Sequence, residues 1–420
     1  MKKENYSKFT LIFTSLFFVI LSAGCNSEEK KQALITEEKN KALEKYISNF
    51  SKEQLLSQLF LINIEGNRKF IPVEKTGEIY GQKNEGNWLL SGGCLLFKYN
   101  LGNTAEDVRS FTDSIRQFYS DAGDIPPFVA VDQEGGYVSR LRGLTENLPS
   151  QKKVAETFSL EEAEALYERQ ARQIKNLGIN VNLAPVVEVE TSGNASFLDT
   201  RSFGSLNKVI DYGKAEILAF ENNGIGTVLK HFPGNSNTDP HTGLPEIRVT
   251  EEEAENILVA PFRKLLPYSS ALLMSHARVE ITGGHTKTEP ACLSEFWIKH
   301  VVRGDLGFEG VVFSDDIFMA ALEKNGYPPQ TACIKAFESG IDVLMISEKR
   351  YADILKVLIS QSENSPEFND ILNESVRRVI KFKEKLGLLE YVQVDEENSS
   401  GKSKIPSFIL TAKKQEAVTK

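Results

Sequence analysis

A short apolar run that stops abruptly on charged residues recurs along this chain, and no other feature constrains its fold as tightly. The run at 128–131 ends in Asp132, Gln133, Glu134 and two glycines, and the same junction returns at Val228-Leu-Lys-His231, Leu273-Met-Ser-His276 and Val312-Phe-Ser-Asp-Asp316. One such junction is equally well a charged turn. Several strands delivering polar ends to one face follow the logic of a barrel, whose strand C-termini surround a common mouth.

Read in order, apolar runs predict strands over 59–64, 93–97, 128–132, 179–183, 225–230, 271–276, 310–315 and 341–347. Helical spacing falls between them over 105–119, 159–177, 209–222, 250–266, 296–304 and 330–339, with a closing helix over 376–389. Capping-box pairs mark three helix starts, at Ser51 and Gln54, Ser159 and Glu162, and Thr250 and Glu253. Residues 65–87, polar with several glycines, read as a long loop. Eight strands alternating with helices imply an α/β chain folded as a (β/α)8 TIM barrel, a single domain over 50–390. An open doubly wound sheet shares the alternation, but the chain carries no glycine-rich dinucleotide fingerprint.

The ends read differently. Lys2, Lys3 and Lys8 precede an apolar run over 11–21 and then Ser22-Ala-Gly-Cys25, the pattern of a bacterial lipoprotein signal over 1–24. The common lipobox has Leu three residues before the cysteine, where this chain has Ser22. A transmembrane helix is the competing reading, and the run falls short of the roughly 20 residues that span a bilayer. A lipidated Cys25 implies a cell-envelope protein, periplasmic or on the outer face, held to a membrane through a polar tether over 25–49. Residues 391–420 read as a polar, loosely ordered tail. Cys94, Cys292 and Cys333 show no CxxC spacing and are expected as buried, inert thiols, not metal ligands. The net charge of -9 provides no basic field for nucleic acid.

Taken together, Val131-Asp-Gln-Glu-Gly-Gly136, Leu198-Asp-Thr-Arg-Ser-Phe-Gly204, Lys230-His-Phe-Pro-Gly234, Asp239-Pro-His241 and Phe313-Ser-Asp-Asp316 resemble glycoside hydrolase family 3. Within it they look most like the single-domain β-N-acetylglucosaminidases. The resemblance implies Asp315 as nucleophile in a retaining reaction, His241 as acid/base with Asp239 as its dyad partner, and Asp132, Arg140, Arg201, Lys230 and His231 as ligands of a terminal N-acetylglucosamine. It implies no metal or organic cofactor. The expected substrate is a carbohydrate ending in β-N-acetylglucosamine, a peptidoglycan fragment or a chitin-like oligosaccharide. A phosphorylase acting on the same bond and a sugar-binding lipoprotein with impaired catalysis are the alternatives. The chain departs from the family pattern in places: Asn235 follows Gly234 where the family has His, Pro240 sits within the dyad, the loop between Gly234 and Asp239 is shorter by about two residues, Tyr137 replaces an arginine, and Glu188 replaces an aspartate.

Overall fold

The computed structural model describes residues 27–74, 88–284, 289–346, 351–394 and 406–413. Eight parallel strands form one sheet: β1 (Phe60–Asn63), β2 (Gly93–Leu96), β3 (Phe128–Val131), β4 (Val181–Asn182), β5 (Gly226–Phe232), β6 (Ala271–Met274), β7 (Val311–Ser314) and β8 (Leu344–Ile346). Neighbours in sequence are neighbours in the sheet from β1 to β7, and β8 lies beside β1 with Phe60 opposite Leu344. Between β7 and β8 the Ser314 N–H donates to Val343 O at 2.9 Å and the Val343 N–H to Val312 O at 3.2 Å, so the sheet closes. This is the (β/α)8 barrel expected from the alternation.

Continuous apolar runs suit strands covered on both sides, and β2, β3, β6 and β7 are buried throughout. Within the barrel Phe128 and Phe313 meet edge to face at 6.0 Å, and Phe382 from the last helix packs on both. Each such ring contributes about 1.5–3 kcal/mol by leaving water. Gly93 opens β2 because a Cβ there would meet the Phe128 ring at 2.2 Å. Asp342, fully buried, fastens the β7–β8 seam by accepting from the Val312 N–H at 2.9 Å and from the guanidinium groups of Arg303 and Arg378.

All three capping boxes form. In the second, for instance, the Ser159 N–H donates to Glu162 Oε2 at 2.7 Å and the Glu162 N–H to Ser159 Oγ at 3.2 Å. The helical run capped by Thr250 continues through Leu265 with a π-wound turn at Ala254–Val259, and Phe296–Asp305 is also π-wound. The closing helix starts earlier than its spacing predicts, at Pro366, and ends at Lys385. Proline at the first helical position needs no N–H partner, and Ser365 caps the turn. Cys94, Cys292 and Cys333 are buried free thiols, as expected.

Both terminal segments correct the sequence reading. Most of the segment expected as a tether is the helix Ser27–Ile47, because its Glu, Lys, Ala and Leu residues have high helix propensity despite their polarity, and Lys41 pairs with Glu37 and Glu38. The tail is not loose throughout either: Ser407–Ala412 pairs with Leu389–Val394 as a two-stranded sheet. The chain divides into two compact units, Ile47–Glu390 with Thr411–Lys420, which holds the barrel, and Met1–Tyr46 with Tyr391–Leu410. In the second, Lys39 lies over the rings of Tyr391 and Phe408 at 5.0 and 5.7 Å. In the expected loop, Val73–Glu74 pairs with Trp88–Leu89, while 75–87 lie outside the described residues. Cys25 and the 11–21 run lie outside them too, and no described helix is long and apolar enough to cross a membrane.

One buried charge near the starts of the strands makes stability depend on pH. Lys383 donates to Gln58 Oε1 and to Pro126 O, and burial, opposed by the Asp124 and Cys94 charges, brings its pKa down from the ordinary 10.5 to about 7. Between those values the unfolded chain holds a proton that the folded chain has released, so stability rises with pH above about 7. In Lys383→Met that rise should disappear. Parallel thermal melts of parent and variant from neutral to pH 10 check it, and equal slopes would contradict it.

Candidate active site

The strand ends bring together residues that lie far apart in sequence. β3 runs into Asp132 and Glu134, β5 carries Lys230 and His231, His276 follows β6 and Asp315 follows β7. Lys230 is the hub. Its ammonium lies 2.8 Å from Asp132 Oδ1 and 2.7 Å from Glu134 Oε1. Arg201 grips the same Glu134 with two prongs, Nε to Oε2 at 2.8 Å and Nη2 to Oε1 at 2.9 Å. Buried charges persist when they are paired and hydrogen-bonded, and this cluster meets that condition.

Electrostatics follow from the pairing. Burial opposes ionisation of Glu134, but the Lys230 and Arg201 charges outweigh it and hold the carboxyl down to about 2. Burial likewise works against the charge on Lys230, and Asp132 and Glu134 more than offset it, so Lys230 stays an ammonium. Glu216, fully buried on the helix Leu206–Asn222, is pushed well above the carboxylate range by burial and by the charge of Glu134. It stays protonated and adds no further negative charge.

Asp315 is 8% exposed. Its N–H continues the β6 ladder by donating to Met274 O at 3.1 Å, and its Oδ1 accepts the Asp316 N–H at 2.8 Å. Burial disfavours its charge, but the imidazoles of His276 and His231, that N–H and the Lys230 ammonium together hold it below the usual carboxylate range. The result is an ionised carboxylate in a confined, charge-lined place. Asp316 is engaged differently, accepting the Phe318 N–H at 3.1 Å as a turn cap. His276 Nε2 donates to Asp316 O at 2.9 Å, and its Nδ1 lies 3.1 Å from Cys292 Sγ.

His231 turns Nδ1 toward Glu188 Oε1 at 2.7 Å. Asp239 and His241 form their own pair on the loop after β5: Asp239 Oδ1 lies 2.7 Å from His241 Nδ1 and also accepts the His241 N–H at 2.9 Å. That N–H is the chief influence holding Asp239 below the carboxylate range. Burial opposes it, and the His241 ring and the Arg201 charge assist. The side chains of His241 and Asp239 are 69% and 53% exposed. Arg140 lies 5.9 Å over the Phe97 ring and donates its N–H to Asp132 O at 3.4 Å, while its buried Nε has no hydrogen-bond partner among the described residues.

Thus Asp132, Lys230 and Arg201 are tied through Glu134, Lys230, His231 and His276 bear electrostatically on Asp315, and Asp239 lies within range of Arg201. Arg140 is joined to this set only through its backbone. Four contributors carried no expected role: Glu134, Glu188, Asn235 and His276. The charge of Glu134 directly after a strand was the available signal for it. For Glu188 and Asn235 the signal was their departure from the family pattern.

Residues 78–382 match the glycosyl hydrolase family 3 N-terminal domain. Beta-hexosaminidase A of Pseudoalteromonas piscicida is 28% identical over 325 residues, 70% of this chain and 53% of that protein. Beta-hexosaminidase LpqI of Mycobacterium tuberculosis is 30% identical over 260 residues, 59% of this chain and 66% of the relative. The chain therefore spans between about half and two thirds of the length of these two relatives. Among solved structures, a family 3 beta-N-acetylglucosaminidase from Paenibacillus sp. str. FPU-7 superposes with a TM-score of 0.70 at 24% identity, covering 84% of this chain and 65% of the other. LpqI of M. tuberculosis superposes at 0.66 and 26% identity, covering 80% and 94%.

Proposed function

The chain belongs to glycosyl hydrolase family 3 by its match to that family's N-terminal domain, and from this premise we propose that it is a retaining exo-β-N-acetylglucosaminidase. In this reading Asp315 attacks the anomeric carbon of a terminal N-acetylglucosamine while His241 Nε2 gives its proton to the departing oxygen. The glycosyl-enzyme ester forms as the glycosidic bond breaks. Water, deprotonated by the now neutral His241, then attacks the same carbon and releases the sugar with its configuration retained. Asp239, bonded to Nδ1, holds the ring with Nε2 outward and stabilises its charged form. Asp132, Arg140, Arg201, Lys230 and His231 bind the sugar hydroxyls through charge-assisted hydrogen bonds.

The observation that carries this reading is the place of Asp315, a nearly buried carboxylate just beyond the end of β7, on the strand-end face that also carries Lys230, His231 and His276. The exposure of His241 suits a group that must meet a departing alcohol and then a water. Related proteins named beta-hexosaminidase support the substrate class. Incubating the protein with N,N′-diacetylchitobiose and with a peptidoglycan disaccharide tests it. We expect free N-acetylglucosamine at the same rate with and without inorganic phosphate. A sugar 1-phosphate would instead establish the phosphorylase, and tight sugar binding without turnover the impaired binding protein. Lipidation of Cys25, suggested by Lys2, Lys3, Lys8 and Ser22-Ala-Gly-Cys25, belongs to the same proposal, and the intact mass of the mature chain checks it.

A further inference from the structure

One buried carboxylate at the site has no part in the reaction as described. Glu188, 3% exposed beyond the end of β4, collects four donors from the segment that closes β5. Its Oε1 faces His231 Nδ1 at 2.7 Å, the His231 N–H at 3.3 Å and Asn235 Nδ2 at 3.1 Å, and its Oε2 accepts the Asn235 N–H at 2.6 Å. We propose that Glu188, matched to Asn235, is a positioning residue, a clamp that fixes the orientation of the His231 imidazole at the barrel mouth.

Every partner of this carboxylate is a donor, so the His231 ring must carry its hydrogen on Nδ1 and turn Nε2 away from Glu188. The Phe197 ring, edge-on at 6.5 Å, bounds another side of the imidazole, and the Arg201 guanidinium covers Phe197 at 5.4 Å. Orientation of His231 is therefore set from behind, by a residue 43 positions earlier in the chain. At both places the resemblance to the family pattern implies other residues, aspartate at 188 and histidine at 235, where this chain has Glu188 and Asn235. In this chain the two residues fit each other: Glu188 reaches the imidazole and the Asn235 N–H together, and the Asn235 amide adds a further donor.

The kinetic consequence rests on the hydrolase reading, whereas the clamp itself does not, and the experiment separates them. Glu188→Asp withdraws the carboxylate by one methylene, a displacement of about 1 Å or more, which costs on the order of 100-fold when it misplaces a reacting group. We expect that loss in kcat for an aryl β-N-acetylglucosaminide, with KM little changed and the melting temperature retained. Asn235→His alone should also lose rate. Glu188→Asp with Asn235→His should recover ~10-fold over the product of the single effects, as directly coupled neighbours do. Effects that simply multiply, a Glu188→Asp enzyme at the parent rate, or losses that follow the melting temperature would overturn the clamp.

Histidine-selective ¹⁵N labelling reads the clamp without turnover, since the chain has only five histidines. The parent should show a downfield, slowly exchanging Nδ1–H for His231 that vanishes in Glu188→Ala. An active parent lacking that resonance overturns the clamp and leaves the hydrolase. An inactive parent that shows it removes the hydrolase and leaves the clamp.

Discussion

Asp315→Asn is expected to lose turnover by several orders of magnitude while binding N-acetylglucosamine nearly as well as the parent. An amide keeps the shape of the carboxylate and still accepts the Asp316 N–H at the place of Oδ1, but it has no charge to share with an anomeric carbon. Loss of a nucleophile removes an interaction that exists only in the transition state, so kcat falls and affinity does not. The parent's pH profile carries the same assignment. Asp315 is held below the usual carboxylate range, so kcat/KM should be lost only as pH falls through that depressed value, and the acid limb should lie below that of a free carboxylic acid. Calorimetry on the variant and stopped-flow kinetics on both proteins check the separation. If Asp315→Asn hydrolyses at the parent rate, Asp316 becomes the next residue to test.

His241→Ala should divide substrates by their leaving groups. Proton donation contributes about 100- to 10,000-fold, and a sugar alcohol needs that help while an acidic nitrophenolate hardly does. The variant should therefore lose most of its activity on an unactivated disaccharide and far less in the first turnover of a nitrophenyl glycoside. The same imidazole serves as base in the second half of the reaction, so the nitrophenyl substrate should give a burst followed by slow turnover as the glycosyl-enzyme accumulates. Small, equal losses on both substrates in both phases would make His241 a bystander. That outcome would place the exposed loop too far from the sugar, despite the 2.7 Å contact between Asp239 and His241.

The two variants test parts of the site that were unequally legible. Asp315 and Lys230 stand at or beside strand ends, and strand ends are marked by a local change from apolar to charged residues that needs no knowledge of the fold. Asp239 and His241 are two positions apart in one loop, and the resemblance to the family motif, with that spacing, implied the pair that the 2.7 Å contact forms. Glu134 was visible as a charge beyond a strand, yet nothing local said that it would be the shared anchor of Lys230 and Arg201. The helix Ser27–Ile47 lies in the segment read as a polar tether, whose composition shows no apolar face although its residue types favour a helix. The strand Ser407–Ala412 escaped because its short apolar run, Phe408-Ile-Leu410, lies within a polar stretch.

What the sequence determined by itself was the set of elements and their order, since periodicity and helix caps act between residues a few positions apart, and burial of apolar strands leaves a closed sheet as the economical arrangement. What only the tertiary structure decided was which charges meet. Lys230 and Asp132 are 98 positions apart, Arg201 and Glu134 67, His231 and Glu188 43. Contacts of under 3 Å between such distant residues depend on strand order and on the seam through Val343 that closes the barrel. Electrostatic attraction selects partners only after hydrophobic closure has brought them within reach, so the pairings at the mouth of this barrel are a property of the closed sheet.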